Sequence, residues 1–226
     1  GAINGPITIS KTGCTDVQTG TFTITVAGNG LQFYPLASPV RLLDTRPGAS
    51  PNACSQPNAA IAGGTSRTQN ARSFCGIPAN AAAITGNVTT VNSGGGYLTL
   101  YPSGATQPTV ASTNYNPNEV INNVFTVGLG VGDGAFKIFA LNTTDVVVDV
   151  TGYYAPPATG GLYFHPLPSP VRLLETRAGQ PVGCVKPGVP LTGGQDSLQT
   201  ATTACTGIPA AARAIVGNAT TVSPQG

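Results

Sequence analysis

One histidine, no methionine, and only ten basic and eight acidic side chains among 226 residues leave this chain poor in reactive groups. Each shortage excludes something. With a net charge of +2 and no basic run, the chain lacks the clustered Lys and Arg that nucleic acid or an anionic membrane surface requires. No apolar stretch approaches the ~20 residues of a membrane-spanning helix, so no membrane insertion is expected. The shortage of Lys and Glu and the lack of Met remove good helix formers. Thr, Val, Ile, Tyr and Phe fill the runs between turns, which is a β composition. His165, the single histidine, has no Cys, Ser or carboxylate motif around it, so neither a catalytic triad nor a zinc site is expected. No nucleophile–base pair or cofactor-binding motif is found, and the chain is read as a non-enzyme without cofactor.

What the sequence does hold is glycine, proline and a repeat. The 30 Gly and 20 Pro are spaced between β-rich runs, as turns are. "SPVRLLDTR" at Ser38–Arg46 returns as "SPVRLLETR" at Ser169–Arg177. The correspondence continues to "CGIPANAAAITGNVTTV" (Cys75–Val91) against "CTGIPAAARAIVGNATTV" (Cys205–Val222), with Thr206 as an extra residue. These are two copies of one module. The first copy runs on through "GYLTLYPSG", "ASTNYN", "NNVFTVGLG", "AFKIFALN" and "DVVVDVTGYY", each a strand-like run between turn residues. The second has no counterpart of these. The organisation read from this is an N-terminal β segment over 1–30, a complete module over 31–155, a linker over 156–161 and an incomplete copy over 162–226.

The first thirty residues match neither copy. "GPITIS", with Ile7 and Ile9, and "GTFTITVAG", with Phe22, Ile24 and Val26 in alternation, read as strands. They are donor strands or the end of a preceding domain. Half a sandwich cannot bury its apolar face and leaves open edges. The second copy is therefore expected to be completed, by more of a longer chain or by strands from a neighbouring copy. The second route builds filaments when it runs head to tail.

Cys54 and Cys75 are 21 residues apart, and so are Cys184 and Cys205. Repeated spacing without His or a CxxC points to two local disulfides and an exported protein. Each bridge is worth ~3 kcal/mol by loop entropy. Cys14 is left over, as a free thiol or an intermolecular partner.

The order "RLLDTR", "GIP", "GNVTT", "GYLTLYPSG", "STNYN", "VGLG", "VVVDVTGYY" resembles a repeat module of large secreted bacterial proteins. The resemblance covers Leu31–Tyr154 fully and Leu162–Gly226 in part. It implies disulfide-containing β-sandwiches at the cell surface or outside the cell, and brings no catalytic residues. The expected fold is all-β, a sandwich of immunoglobulin-like or jelly-roll-like modules, with at most one helical turn at "IPANAA" (Ile77–Ala82) and its twin.

The charged stretch is read as structural ion pairing among Arg41, Asp44, Arg46 and Asp149, and among Arg172, Glu175 and Arg177. In a straight strand Arg41 and Asp44 point apart, so each needs a partner elsewhere, and Asp149 in "VVVDV" is the candidate for an arginine. The change from Asp44 to Glu175 moves the carboxylate by about one methylene, which catalytic positioning within ~0.5 Å does not tolerate. "VGLGVGDGAF" (Val127–Phe136) is a glycine-rich hairpin, since a strand follows it where a phosphate loop needs a helix. A lone Asp133 is a weak basis for calcium. Asn142 is the best-exposed N-x-[ST] acceptor. Asn87 and Asn218 are expected to hydrogen-bond neighbouring backbone. Tyr97, Tyr101 and Tyr115 are the candidates for a sugar platform, weighed against burial in a sandwich core. The expected function is a structural subunit of an extracellular filament, its partners copies of itself. The alternative is an adhesive or carbohydrate-binding module that meets glycans or a host surface.

Overall fold

A computed structural model describes residues 30–49, 53–203 and 205–222. The readings placed on Cys14, Ile7, Ile9, Phe22, Ile24 and Val26 lie outside these residues. The chain is all-β, with no helix among the described residues. Eight strands, all from the first module, form two four-stranded antiparallel sheets. They are β1 (Gln32–Asp44), β2 (Thr65–Asn70), β3 (Ala83–Val91), β4 (Gly94–Pro102), β5 (Thr113–Pro117), β6 (Ile121–Gly128), β7 (Ala135–Ala140) and β8 (Asp145–Ala155). One sheet has the order β1-β8-β3-β6 and the other β2-β7-β4-β5. This is the wiring of a jelly roll, not of an immunoglobulin domain, which packs four strands on three.

The sequence drives this through alternation. In β3 every second residue is buried, with Ile84 and Val88 fully enclosed. In β8 the inward set is Val146, Val148 and Val150, all at 0% exposure. They meet Leu98 of β4 and Phe136 and Ile138 of β7 in one core. β1 carries Pro35 and Pro39 and sits at a sheet edge, where a missing N–H costs no ladder bond. "IPANAA" makes a single turn, closed by Ala81 N–H to the Pro78 carbonyl at 3.1 Å, instead of a helical turn. "VGLGVGDGAF" is not a hairpin either: it carries the chain from β6 in one sheet to β7 in the other.

One rule of this topology governs the second copy. β1 pairs only with β8, β2 only with β7, and β3 with β6 and β8. No two of the first three strands are neighbours. Residues 162–222 hold counterparts of these three alone, and no strand forms among the described residues there. Ile215 is 54% exposed where its counterpart Ile84 is 0%, and Leu191 is 58% exposed where Ile61 is 4%. The linker is held by β1: Ala158 N–H donates to the Gln32 Oε1 (3.1 Å) and to the Tyr34 hydroxyl oxygen (2.7 Å), and Phe33 bridges Leu162.

Candidate functional site

The repeated charged stretch folds into the same local device in both copies. In the first, Cys54 N–H donates to the Arg41 carbonyl (2.9 Å), Ser55 N–H to the Leu42 carbonyl (3.1 Å) and Asp44 N–H to the Ser55 carbonyl (3.0 Å). In the second, Cys184 donates to Arg172, Val185 to Leu173 and Glu175 to Val185, each at 2.9 Å. Disulfides Cys54–Cys75 and Cys184–Cys205 hold these return segments, with Cα separations of 6.0 and 5.6 Å. The loop is thus formed by local bonds and its bridge, with or without a completed sheet. The two disulfides are compatible with an extracellular location, and among the described residues no helix is long and apolar enough to cross a membrane.

The expectation that Arg41 and Asp44 point apart fails, because β1 is not straight. Its register against β8 slips between Arg41 and Leu43, so Leu42 is an extra residue and both Leu42 and Leu43 are fully buried. The bulge brings the Arg41 Nη1 to 3.6 Å from the Asp44 Oδ2. Arg41 also grips Asp149 with two bonds, at 2.9 and 3.2 Å. Asp44, its side chain wholly enclosed, takes two bonds from the Arg46 guanidinium (2.9 and 2.6 Å) and one from the Arg46 N–H (3.2 Å). These bonds hold the Asp44 carboxyl below the usual range, and the bond to Asp149 raises Arg41.

Glu175 repeats the arrangement and extends it. Arg177 donates to it from Nε and Nη2 (2.9 and 2.7 Å) and from its backbone N–H (3.1 Å). The extra methylene brings the same carboxylate to Arg172 at 2.8 Å, where Asp44 stays 3.6 Å from Arg41. Glu175 therefore does for Arg172 part of what Asp149 does for Arg41. Arg177 beside it, chiefly through its side-chain bonds, lowers the Glu175 carboxyl from 4.5 to about 2. A depressed acid contributes stability above its unfolded value, and that contribution disappears as pH falls from about 4.5 through about 2. A carboxyl titration by NMR is expected to place Glu175 near 2 and to move it upward in Arg177→Ala; a midpoint above 4 in the parent chain contradicts this wiring.

The other candidates separate. Tyr115 lies in the core at 5% exposure, while Tyr101, also at 5%, shares a hydroxyl bond with Ser66 (2.8 Å). Tyr97 tilts against Phe139 with ring centroids 5.8 Å apart. Tyr101 and Tyr115 are covered, which leaves two of the three sugar-platform candidates without an open ring face. Asn142 is exposed, but its Nδ2 donates to the Gly95 carbonyl at 2.8 Å. Asn87 and Asn218 do not bond backbone as expected. Each donates to a hydroxyl two residues on, Thr89 at 3.4 Å and Thr220 at 3.1 Å. Asp133 caps its own loop, accepting from Ser103 Oγ (2.6 Å) and the Ala135 N–H (3.1 Å). His165 is exposed. Among the described residues no three His, Cys, Asp or Glu gather where they could hold a metal ion.

Sequence reasoning overlooked Gly86. A Cβ there would strike the Asp149 carbonyl oxygen and lie 2.9 Å from the Val150 Cα, so glycine is what lets β8 close on β3. Its counterpart Gly217 has nothing within 4 Å. The repeated "GN" of "GNVTT" and "GNATT" was the available signal. Comparison with protein-family models, with curated proteins and with solved structures found no match for this chain.

Proposed function

We propose that this chain is a structural subunit of an extracellular filament or surface appendage, assembled head to tail by β-strand complementation between copies. The observation that carries the reading is the strand order. Every neighbour of β1, β2 and β3 lies among β6, β7 and β8, and residues 162–222 carry counterparts of the first three only. Apolar side chains among them stand in solvent, including Leu191 at 58% and Ile215 at 54% exposure, while Leu173 and Leu174 are half-buried. Their loop is nonetheless preformed by a disulfide and a charge cluster, which lowers the entropy cost of docking a strand. Backbone hydrogen bonds would supply register and alternate side chains specificity, as in other strand-addition joints. The resemblance to modules of secreted bacterial proteins agrees with a surface location.

Deleting Gly1–Gly30 tests this directly. Light scattering is expected to find polymers from the full chain and monomers from the truncated one. Polymers that persist without the N-terminal segment overturn the mechanism.

A further inference from the structure

We propose that β6 is a self-pairing edge: it joins β6 of a second copy, antiparallel, about a two-fold axis at Val124. This lateral contact lies within the first module and does not rest on the head-to-tail joint proposed above.

The sandwich has four edge strands, β1 and β6 in one sheet and β2 and β5 in the other. An unpaired edge is a template for another strand, and proteins guard such edges with proline, charge, short length or cover. Three of the four are guarded. Along β1, Phe33 exchanges two backbone bonds with Leu162 (2.9 and 2.8 Å), and the return segment at Cys54–Ser55 bonds Arg41, Leu42 and Asp44. Pro35 and Pro39 lack an N–H in between. β2 turns the half-buried Arg67 inward, on the face where its neighbour Ile138 is buried. β5 has five residues and ends in Pro117, and its Asn116 N–H is taken by the Glu119 carboxylate at 2.8 Å.

β6 has none of these devices. Its eight residues carry no proline and no charge, and they pair with β3 without a register shift. The Leu129 N–H donates to the Ala82 carbonyl at 2.9 Å, which sets the phase of the ladder. Bonded residues alternate in an antiparallel pair, so the odd-numbered residues bond β3, while Asn122, Val124 and Thr126 aim their N–H and C=O groups away from it. Among the described residues no backbone group bonds them there. Their side chains are exposed on the outer face of the sheet, and Val124, in mid-strand, is 74% exposed.

A second copy fits this edge. Antiparallel pairing about Val124 sets Val124 on its own counterpart and Asn122 on Thr126. An apolar side chain then covers an apolar one, and a hydrogen-bonding side chain faces another. No like charges meet, because the strand has none. The three outward backbone positions exchange about six hydrogen bonds with the partner strand. A two-fold contact needs one patch that complements itself, and the polar–apolar–polar order of Asn122, Val124 and Thr126 does so. Two four-stranded sheets thereby become one continuous sheet.

Single cysteines in the full chain with Cys14→Ser read this contact. Positions 122, 124 and 126 are all exposed, so the core is untouched, and mass mapping of the two native disulfides checks the fold of each variant. Across the axis residue 124 faces itself, whereas residue 122 faces 126 and lies ~13 Å from its own counterpart. Air oxidation is expected to give covalent dimers of Val124→Cys at about tenfold the yield of Asn122→Cys or Thr126→Cys alone. Mixing the latter two variants is expected to restore dimers to within about threefold of Val124→Cys. Equal yields at the three positions mean random collision and overturn the contact. A higher yield from Asn122→Cys or Thr126→Cys alone overturns the axis at Val124, and no dimer from any variant overturns the second copy as occupant. Deletion of Gly1–Gly30 bears on the head-to-tail joint alone, so the two readings fail separately.

Discussion

Gly86→Ala lowers the stability of the first module by about 3 kcal/mol or more, whereas Gly217→Ala leaves the stability of the isolated chain unchanged. At Gly86 the register between β3 and β8 slips, Thr85 facing Gly152 and Gly86 facing Val150, so Thr151 is an extra residue on β8. The bulge presses the β8 backbone onto the glycine, and a new methyl would meet backbone atoms of Asp149 and Val150 that have no room to retreat. No flexible side chain gives way there, and relief requires parting the central pair of a sheet. At Gly217 the same methyl meets open space. Urea unfolding of the two variants, read against the parent, separates them; equal costs would mean that Gly217 already packs against a strand within its own chain.

Asp44→Ala is expected to cost about 3 kcal/mol and Asp149→Ala no more than ~1 kcal/mol, although both remove a carboxylate from the same cluster. Asp44 is fully enclosed and takes three bonds from Arg46, so its loss strands the Arg46 guanidinium at the rim of the core, while Arg41 keeps its bonds to Asp149. Its 35% exposure lets it reach water, which keeps the cost at the low end for a broken buried pair. Asp149 is 30% exposed, and Arg41 still has Asp44 within 3.6 Å when it is gone. Because the Asp44 carboxyl is depressed by its bonds to Arg46, its contribution is present near neutral pH and disappears as acid protonates it. The gap between the Asp44→Ala variant and the parent should therefore narrow in acid; a gap that widens contradicts the assignment.

The strand runs, the two disulfides and the Arg41–Asp149 pair were legible because each follows from local pattern. Alternation marks a strand, a repeated 21-residue spacing marks a bridge, and an acid within a valine run needs a cation. The bulge at Leu42 was not legible. Alternation assumes a straight strand, and an extra residue shows only when the partner's register is known. Sheet order was hidden for the same reason, since pairing between β1 and β8 joins residues more than a hundred positions apart. That order means that the first three strands of the module are never each other's neighbours.

The central claim is that a β8-like strand from another copy closes on Gly217. Light scattering of full-length Gly217→Ala, with its disulfides intact, measures it most directly. The account predicts a chain as stable as the parent that no longer polymerises. Polymerisation at the parent's rate and extent would contradict it.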